Sequence, residues 1–245
     1  MSFVLLNARL FTGGADLSGR SNKIELSAEV EDKEVTNYRS PDGWKEVLGG
    51  LASAEITGEG QWEAGDPGMV DDVSWAELGG VGAWTVCPRD SAVGDLAYFT
   101  RAMRGSYTLG EAVGEVAPWQ GGAKSAWPLV RGVIEHPPGT ARTADGASTG
   151  VELGAVAAGR RLYASLHVLS VAGTSSPSIT VSVESDDSNT FASATTRLTL
   201  DAATAPGGQT ARTDGTAITD TWWRLAWTIT GTSPSFLFAA ALGIA

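Results

Sequence analysis

Residues 23–63 read KIELSAEVEDKEVTNYRSPDGWKEVLGGLASAEITGEGQWE, and the pattern of this stretch decides the fold. Apolar residues at 24, 26, 28 and 30 alternate with polar ones, and a second alternation begins at residue 52. A period of two predicts a half-buried strand in each place. Both predicted strands have an acidic outer face, whose glutamates are Glu25, Glu29, Glu31, Glu55, Glu59 and Glu63. Two glycines on the apolar side of the second strand indicate a bend or close packing of other atoms.

The loop over residues 35–50 joins these two strands and contains Tyr38, Pro41 and Trp44. Proline at 41 favours a turn, and Asp42 is suited to cap a helix. We therefore expect a short helix over residues 44–48, ended by the two glycines that follow it.

Charge is concentrated in the first third of the chain. The net charge of the 245 residues is −11. Residues 1–80 have 15 acidic and 6 basic residues, a net −9, and the remainder has 13 and 11, a net −2. Proteins that grip nucleic acid neutralise phosphates with Lys and Arg, so this balance argues against specific nucleic-acid binding. It is compatible with a surface that DNA passes without sticking.

The rest of the chain predicts a mainly β protein of two β-sandwich or barrel-like domains, with many turns formed by its 31 Gly and 10 Pro. The first domain, residues 1–138, has one or two short helices, the second of them over residues 73–78 after an Asp pair. A Pro-, Gly- and Thr-rich linker covers residues 137–150 and leads into an all-β second domain, residues 139–245. This second domain is either a diverged copy of the first or an outer β-sandwich. The predicted strands outside the opening stretch cover residues 3–11, 83–86, 95–107, 115–124, 129–136, 151–156, 161–171, 178–184, 196–201, 221–230 and 236–244.

No residue pattern indicates catalysis, a cofactor or a metal. The two histidines, His136 and His167, are too few for a zinc or acid–base site, and no HExxH, GxSxG, Walker or Rossmann motif is present. Cys87, the single cysteine, is predicted to be a buried strand residue. The polar run at residues 184–189 has oxygen ligands suitable for calcium but lacks EF-hand spacing, which favours a turn.

The chain is rich in tryptophan, and three of its nine tryptophans leave one rival function open. Trp222, Trp223 and Trp227 are suited to an aromatic platform in a carbohydrate-binding β-sandwich module. Neighbouring strand residues point to opposite faces, so Trp223 and Trp227 are expected on one side and Trp222 on the other. One of these sides is then core, and the other is exposed or in an interface.

Neither end of the sequence predicts a membrane segment. Residues 1–11 lack a basic region typical of a signal peptide, and the apolar run FLFAAALGIA at residues 236–245 is about half the length of a membrane span. We expect a product made in the cytoplasm, with no membrane partner.

Several phrases resemble the major tail tube proteins of long-tailed (siphovirus-like) bacteriophages, especially those of actinobacterial hosts. In the first half they are LFTGGADLSGRSNKIEL, GWKEVLGGLASAEITGEGQWEAGDP, AVGDLAYFTRAMRGSY with VGEV, and PLVRGVIEH. In the second half they are RLYASLHVLSVAGTSSPSITVSVESDD and TDTWWRLAWTITGTSPSFLFAAALGI. Together they span nearly the whole chain.

The resemblance implies a non-enzymatic virion protein whose rings stack into the phage tail tube. In that family, subunits close into a ring around the DNA channel, as hexamers or as trimers of two-domain chains. The implied partners are other copies of the chain and other tail proteins, including the tape-measure protein, while DNA passes through the lumen without specific binding. Carried onto this sequence, the two acidic strands line the lumen, and the loop with Tyr38, Pro41 and Trp44 contacts the adjacent ring. From the residues alone, the pattern of Glu25, Glu29, Glu55 and Glu59 favours the solvated face of an exposed sheet.

Overall fold

Strand pairing organises almost all of this chain, and the mainly β fold expected from the sequence is confirmed. The computed structural model describes residues 5–38, 44–65 and 68–245. These residues form one short helix, α1 (Val70–Ala76), and fourteen strands joined in a single antiparallel sheet. The strands are β1 (Arg9–Thr12), β2 (Ala15–Asp16), β3 (Ser21–Glu34), β4 (Val47–Gln61), β5 (Val81–Cys87), β6 (Leu96–Leu109), β7 (Pro118–Ser125), β8 (Val130–His136), β9 (Gly146–Ala147), β10 (Val151–Glu152), β11 (Leu162–Asp186), β12 (Thr195–Thr199), β13 (Gly207–Arg212) and β14 (Trp222–Ile244).

The first half of the chain forms a sheet with β3 at one margin and β2 at the other. Its order is β3-β4-β7-β6-β5-β1-β2. Leu10, Ile56 and Trp119 are buried on its inner face. A Cβ at Gly58 would lie 3.0 Å from the Trp119 ring, which confirms the close packing expected at the glycines of this strand.

A buried arginine fixes α1 to this sheet. The Arg104 side chain donates to Glu77 Oε2 at 3.0 Å, to Thr12 Oγ1 at 3.0 Å and to Ser74 Oγ at 3.2 Å. Its guanidinium also lies 4.5 Å from the Trp84 ring centroid. The helix over residues 73–78 is thus confirmed in place, although the Asp pair lies inside its first turn and Met69 occupies the N-cap.

The second half is built on one long ribbon of β11 and β14, which pair from Leu162↔Ile244 to Asp186↔Trp222. The sequence predicts two strands for each of them. The ribbon bends near its middle, at residues 172–177 and 231–234, and its two ends pack against each other through Leu166, Val181 and Phe238. This produces a β-sandwich whose two layers share the same two strands.

The two halves meet in a continuous sheet and a common core. Strand β8 pairs with β6 on one edge and with β14 on the other. Phe99 and Ile134 pack in one cluster with Tyr163 and Ala241 from the second half. The division at residues 138 and 139 remains a proposal about domains, and these contacts join the two sides of it.

Three local predictions are wrong. Residues 47–50 continue β4 and are not helical, because they pair with the end of β3 at Lys33↔Leu48 and Glu34↔Val47. Residues 5–8 are outside β1, which begins at Arg9. No strand was expected at β13, because its glycine-rich sequence shows no alternation, but it pairs with β11 from Tyr163↔Arg212 to Val168↔Gly207.

We expect Gly231→Ala to lower the free energy of unfolding by about 1–3 kcal/mol. Gly231 has φ +115, and a Cβ there would lie 2.8 Å from Pro177 Cα at the bend of the ribbon. Chemical denaturation measures the change. Gly207→Ala is the matched control, since its Cβ would meet no atom within 4 Å. Equal losses in both variants would contradict a specific requirement for glycine at the bend.

Candidate functional site

The outer face of the β3–β4 pair gathers four of the six predicted acidic residues. The register places Glu25 opposite Thr57, Glu29 opposite Ser53, and Glu55 opposite Ser27. Residues two apart on a strand share a face, so Glu59 lies with them. The opposite face holds Leu26↔Ile56 and is directed into the core at the base of the hairpin. We call the four glutamates, Glu25, Glu29, Glu55 and Glu59, the acidic face.

Two lysines lie beside this face, and one of them, Lys23, forms ion pairs with it. Lys23 Nζ lies 2.8 Å from Glu59 Oε1 and 3.8 Å from Glu25 Oε2. The hydrogen bond from Lys23 lowers the pKa of the Glu59 carboxyl, which stays ionised at neutral pH. Lys124 lies opposite Glu55 on β7. Among the described residues, Glu29 and Glu55 have no ion-pair partner, so they hold the uncompensated charge of the face. The sequence analysis did not include either lysine in the site.

The remaining two predicted glutamates lie elsewhere. Glu31 sits at a register shift between Val30 and Asp32 and pairs with Lys33. Glu63 lies beyond the end of β4, where its carboxylate is 2.7 Å from Arg20 Nε. The predicted strand to residue 63 is therefore too long by two residues, and the structure does not bring Glu63 onto the acidic face.

Beyond the core, the hairpin projects as an arm, which we define as residues 28–38 and 44–53. Every position of β3 from 28 and of β4 up to 53 is exposed, on both faces of the hairpin. Strand β7 pairs with β4 only over Glu55–Gln61, so neither strand has another strand partner here among the described residues. The arm exposes large apolar side chains: Val30, Val35, Tyr38, Trp44, Val47, Leu48 and Leu51.

The predicted stacking loop forms the end of this arm. Tyr38 and Trp44 are both exposed, with Trp44 at 77%. Pro41 lies outside the described residues. Leu48 and Leu51 were not among the residues expected in the site. The available signal was a pair of leucines next to Gly49 and Gly50, in a strand whose other neighbours are polar.

Titratable groups in the core serve packing. The His167 ring lies between β11 and the β1–β2 turn; its Nδ1 donates to the Gly13 carbonyl at 2.9 Å, and its Nε2 accepts from Thr85 Oγ1 at 2.8 Å. Burial lowers the pKa of His167 and of His136 to about 4 and raises the pKa of the Cys87 thiol to about 12. In the described part of the chain, no three His, Cys, Asp or Glu side chains are grouped to hold a metal ion.

The tryptophans of β14 do not form an exposed platform. Trp223 and Trp227 share one face, as expected, and both are buried. Their indole N–H groups donate to the carbonyls of Gly154 and Ala144. Only Trp222 of the three is partly exposed, so this part of the sequence is explained by core packing.

The described residues include no helix with the length and apolar character needed to cross a bilayer.

The comparisons with solved structures find distant similarity to tail and baseplate proteins. A chain in the tail of an empty gene transfer agent particle, with C6 symmetry, is 22% identical at a TM-score of 0.41 and covers 53% of this chain and 96% of that one. A chain of the anti-feeding prophage baseplate is 11% identical at a TM-score of 0.37, covering 54% and 97%. The SPP1 Dit protein is 11% identical at 0.35, covering 96% and 98%. Likeness at this level establishes neither a common fold nor a function.

No protein-family model and no curated protein matches the sequence.

We expect Glu135→Gln to change how stability depends on pH. Burial raises the pKa of Glu135 to about 7, more than the hydrogen bonds from Ser148 and the Gly150 amide lower it, and its Oε2 has no partner in the described structure. Below about pH 4.5 the carboxyl is protonated in both states. Between pH 4.5 and 7 this carboxyl is ionised in the unfolded chain but still protonated in the folded one. As the pH rises through this range, the free energy of unfolding of the wild type therefore falls by about 3 kcal/mol relative to that of the variant.

Urea unfolding of both proteins at a series of pH values from 4.5 to 7 measures this difference. His136 and His167 titrate in both proteins, so their effect cancels in the comparison. A difference that is constant with pH would contradict a neutral, buried carboxyl at Glu135.

Proposed function

We propose that this chain is a structural subunit of a phage-type tail tube, which assembles with copies of itself into stacked rings. The observation that carries the proposal is the β3–β4 hairpin, a 14- and a 15-residue strand whose outer described part is exposed on both faces. A two-stranded hairpin is marginally stable alone in water, and exposed leucine, valine and tryptophan side chains favour burial. A surface of a partner subunit would bury the apolar side chains of the arm that are exposed in the single chain.

The acidic face supports the assignment of β3 and β4 to the channel wall. Like charge keeps DNA mobile along a surface, because carboxylates repel phosphates. Strand β3 has β4 as its only strand partner among the described residues. Pairing of its free edge with another subunit extends the sheet around a ring and removes the exposed edge. Under this proposal the protein has no catalytic role, and its place is the virion tail.

The end of the arm, with Tyr38 and Trp44, contacts the next ring in this proposal. Residues 139–245 form a second β domain of the same subunit. The ring is a hexamer or a trimer of two-domain chains, and its further partners are other tail proteins, including the tape-measure protein.

We expect Leu48→Asp with Leu51→Asp to abolish or strongly reduce assembly. Both side chains are exposed on the arm, at 61% and 82%, so the substitutions leave the core intact while placing charge where the proposal buries apolar surface. Light scattering across a concentration series, followed by negative-stain microscopy, measures assembly. Circular dichroism verifies that the variant is folded.

Val113→Asp with Val116→Asp is the matched control, because both valines are exposed outside the arm. This control should assemble like the wild type. A wild-type chain that stays monomeric at high concentration, also with other tail proteins added, would overturn the proposal, as would unchanged assembly of the arm variant.

We expect assembled Glu29→Lys with Glu55→Lys rings to retain double-stranded DNA at low salt, whereas wild-type rings do not. These two glutamates hold the uncompensated charge of the face, so their reversal turns it basic. Co-sedimentation of DNA with the assemblies measures retention, and added salt should release it. Glu111→Lys with Glu115→Lys makes the same charge change at two exposed loop residues. Equal retention by this control, or none by the face variant, would contradict the lumen assignment.

A further inference from the structure

An open apolar groove runs beneath the base of the arm. One part of it, about 430 Å³, is lined by Ile24 and Leu26 of β3 and by Tyr98 and Leu129 from the opposite wall. A second part, about 300 Å³, continues from Leu129 and Ala28 to Trp127. The two parts share residues, so they form one continuous groove between the inner face of β3 and the segment before β8.

The chain itself has a matching group of side chains. Val47, Leu48 and Leu51 are 56%, 61% and 82% exposed on the arm. They lie close together on β4, and Gly49 and Gly50, which have no side chains, separate Leu48 from Leu51. An apolar strand end of this width suits a groove of a few hundred Å³ whose walls are isoleucine, leucine and aromatic rings.

Charge also distinguishes the two surfaces. Residues 28–53 have six acidic and three basic residues, a net −3. The groove is bordered by Arg89, which follows Pro88 in its wall, and by Arg131, which lies directly opposite Tyr98 in the β6–β8 pair. Both arginines are exposed. In the described part of the chain, neither side chain has an ion-pair or hydrogen-bond partner. An acidic arm entering this groove would supply those partners.

We propose that the arm of one subunit docks in this groove of a second copy, with Leu48 and Leu51 buried against Leu129 and with Glu31 and Glu34 of the arm near Arg89 and Arg131. This inference rests on the proposed self-assembly and specifies which two surfaces meet. Each subunit then provides one arm and one groove, a head-to-tail contact that propagates from copy to copy.

Site-directed cross-linking between two differently sized chains tests the contact. One chain has Leu48→Cys and the other, with a fused tag, has Leu129→Cys. The native Cys87 is fully buried with a raised thiol pKa and does not compete. Mild oxidation of the mixed assembly should give a disulfide-linked heterodimer on a non-reducing gel. A Val113→Cys chain mixed with the Leu129→Cys chain is the matched control and should give none.

A charge reversal tests the same contact. At low salt, the Arg89→Glu with Arg131→Glu variant should need a protein concentration about ten-fold or more higher than the wild type in order to assemble. Adding Glu31→Arg with Glu34→Arg on the arm to this variant should restore assembly at the wild-type concentration. Assembly that proceeds without the heterodimer would overturn the docking contact and leave self-assembly standing. Failure of the unmodified chain to assemble would instead remove the proposed function itself.

Discussion

Strand β8 is hydrogen-bonded on both of its edges, and the arrangement of the two halves depends on this pairing. It joins the sheet of the first half to the long ribbon of the second through Ile134↔Ala241 and Leu96↔Val133. From Ile134 to His136 this strand is buried on both faces, so its polar side chains there need internal partners. Ser148 donates to Glu135, and His136 stacks on Phe238 with ring centroids 3.9 Å apart. The junction between the halves is therefore part of the buried core.

The hairpin of β3 and β4 shows the opposite balance along its length. At its base, Leu26 and Ile56 pack with Trp119, and glycine at 58 gives the indole ring room. A few residues further, the same two strands keep their backbone pairing but are exposed on both faces. Backbone pairing and ion pairs such as Lys45–Glu34 link the two strands of the arm, and its large apolar side chains are exposed. The division between a rigid base and an uncovered arm is what makes this hairpin suited to an intermolecular role.

The sequence predicts the parts of this structure that local patterns control. The alternation at residues 24–30 and 54–60 correctly gives two strands and their acidic side, although Ala28 and Val30 on the apolar side are exposed. The spacing of the β14 tryptophans correctly places Trp223 and Trp227 on one face and Trp222 on the other, but it left open which face is buried. Long-range pairing decides the rest. Residues 44–48 have helix signals, but β3 provides a hydrogen-bonding partner for residues 47 and 48, and tertiary pairing overrides weak propensity. The bend in the β11–β14 ribbon is likewise set by packing between its two ends.

For the acidic face, the alternation of the sequence identified the glutamates but not the lysine that forms ion pairs with Glu25 and Glu59. Lys23 precedes the first apolar residue of the predicted strand. Its contact with Glu59, 36 residues further along the chain, depends on the register between β3 and β4. The groove was beyond sequence reasoning for the same reason, because its walls come from β3, β6 and the segment before β8. Register and close approach of distant segments are properties of the fold as a whole.

The free edge of strand β3 also bears on aggregation of the chain. A long free strand edge is a template on which fibrils grow. This edge has charged side chains at 23, 25, 29 and 31, and its register shifts between Val30 and Asp32, both of which oppose flat pairing with an arbitrary second edge. These features protect the free edge of β3 against amyloid-like pairing with other chains.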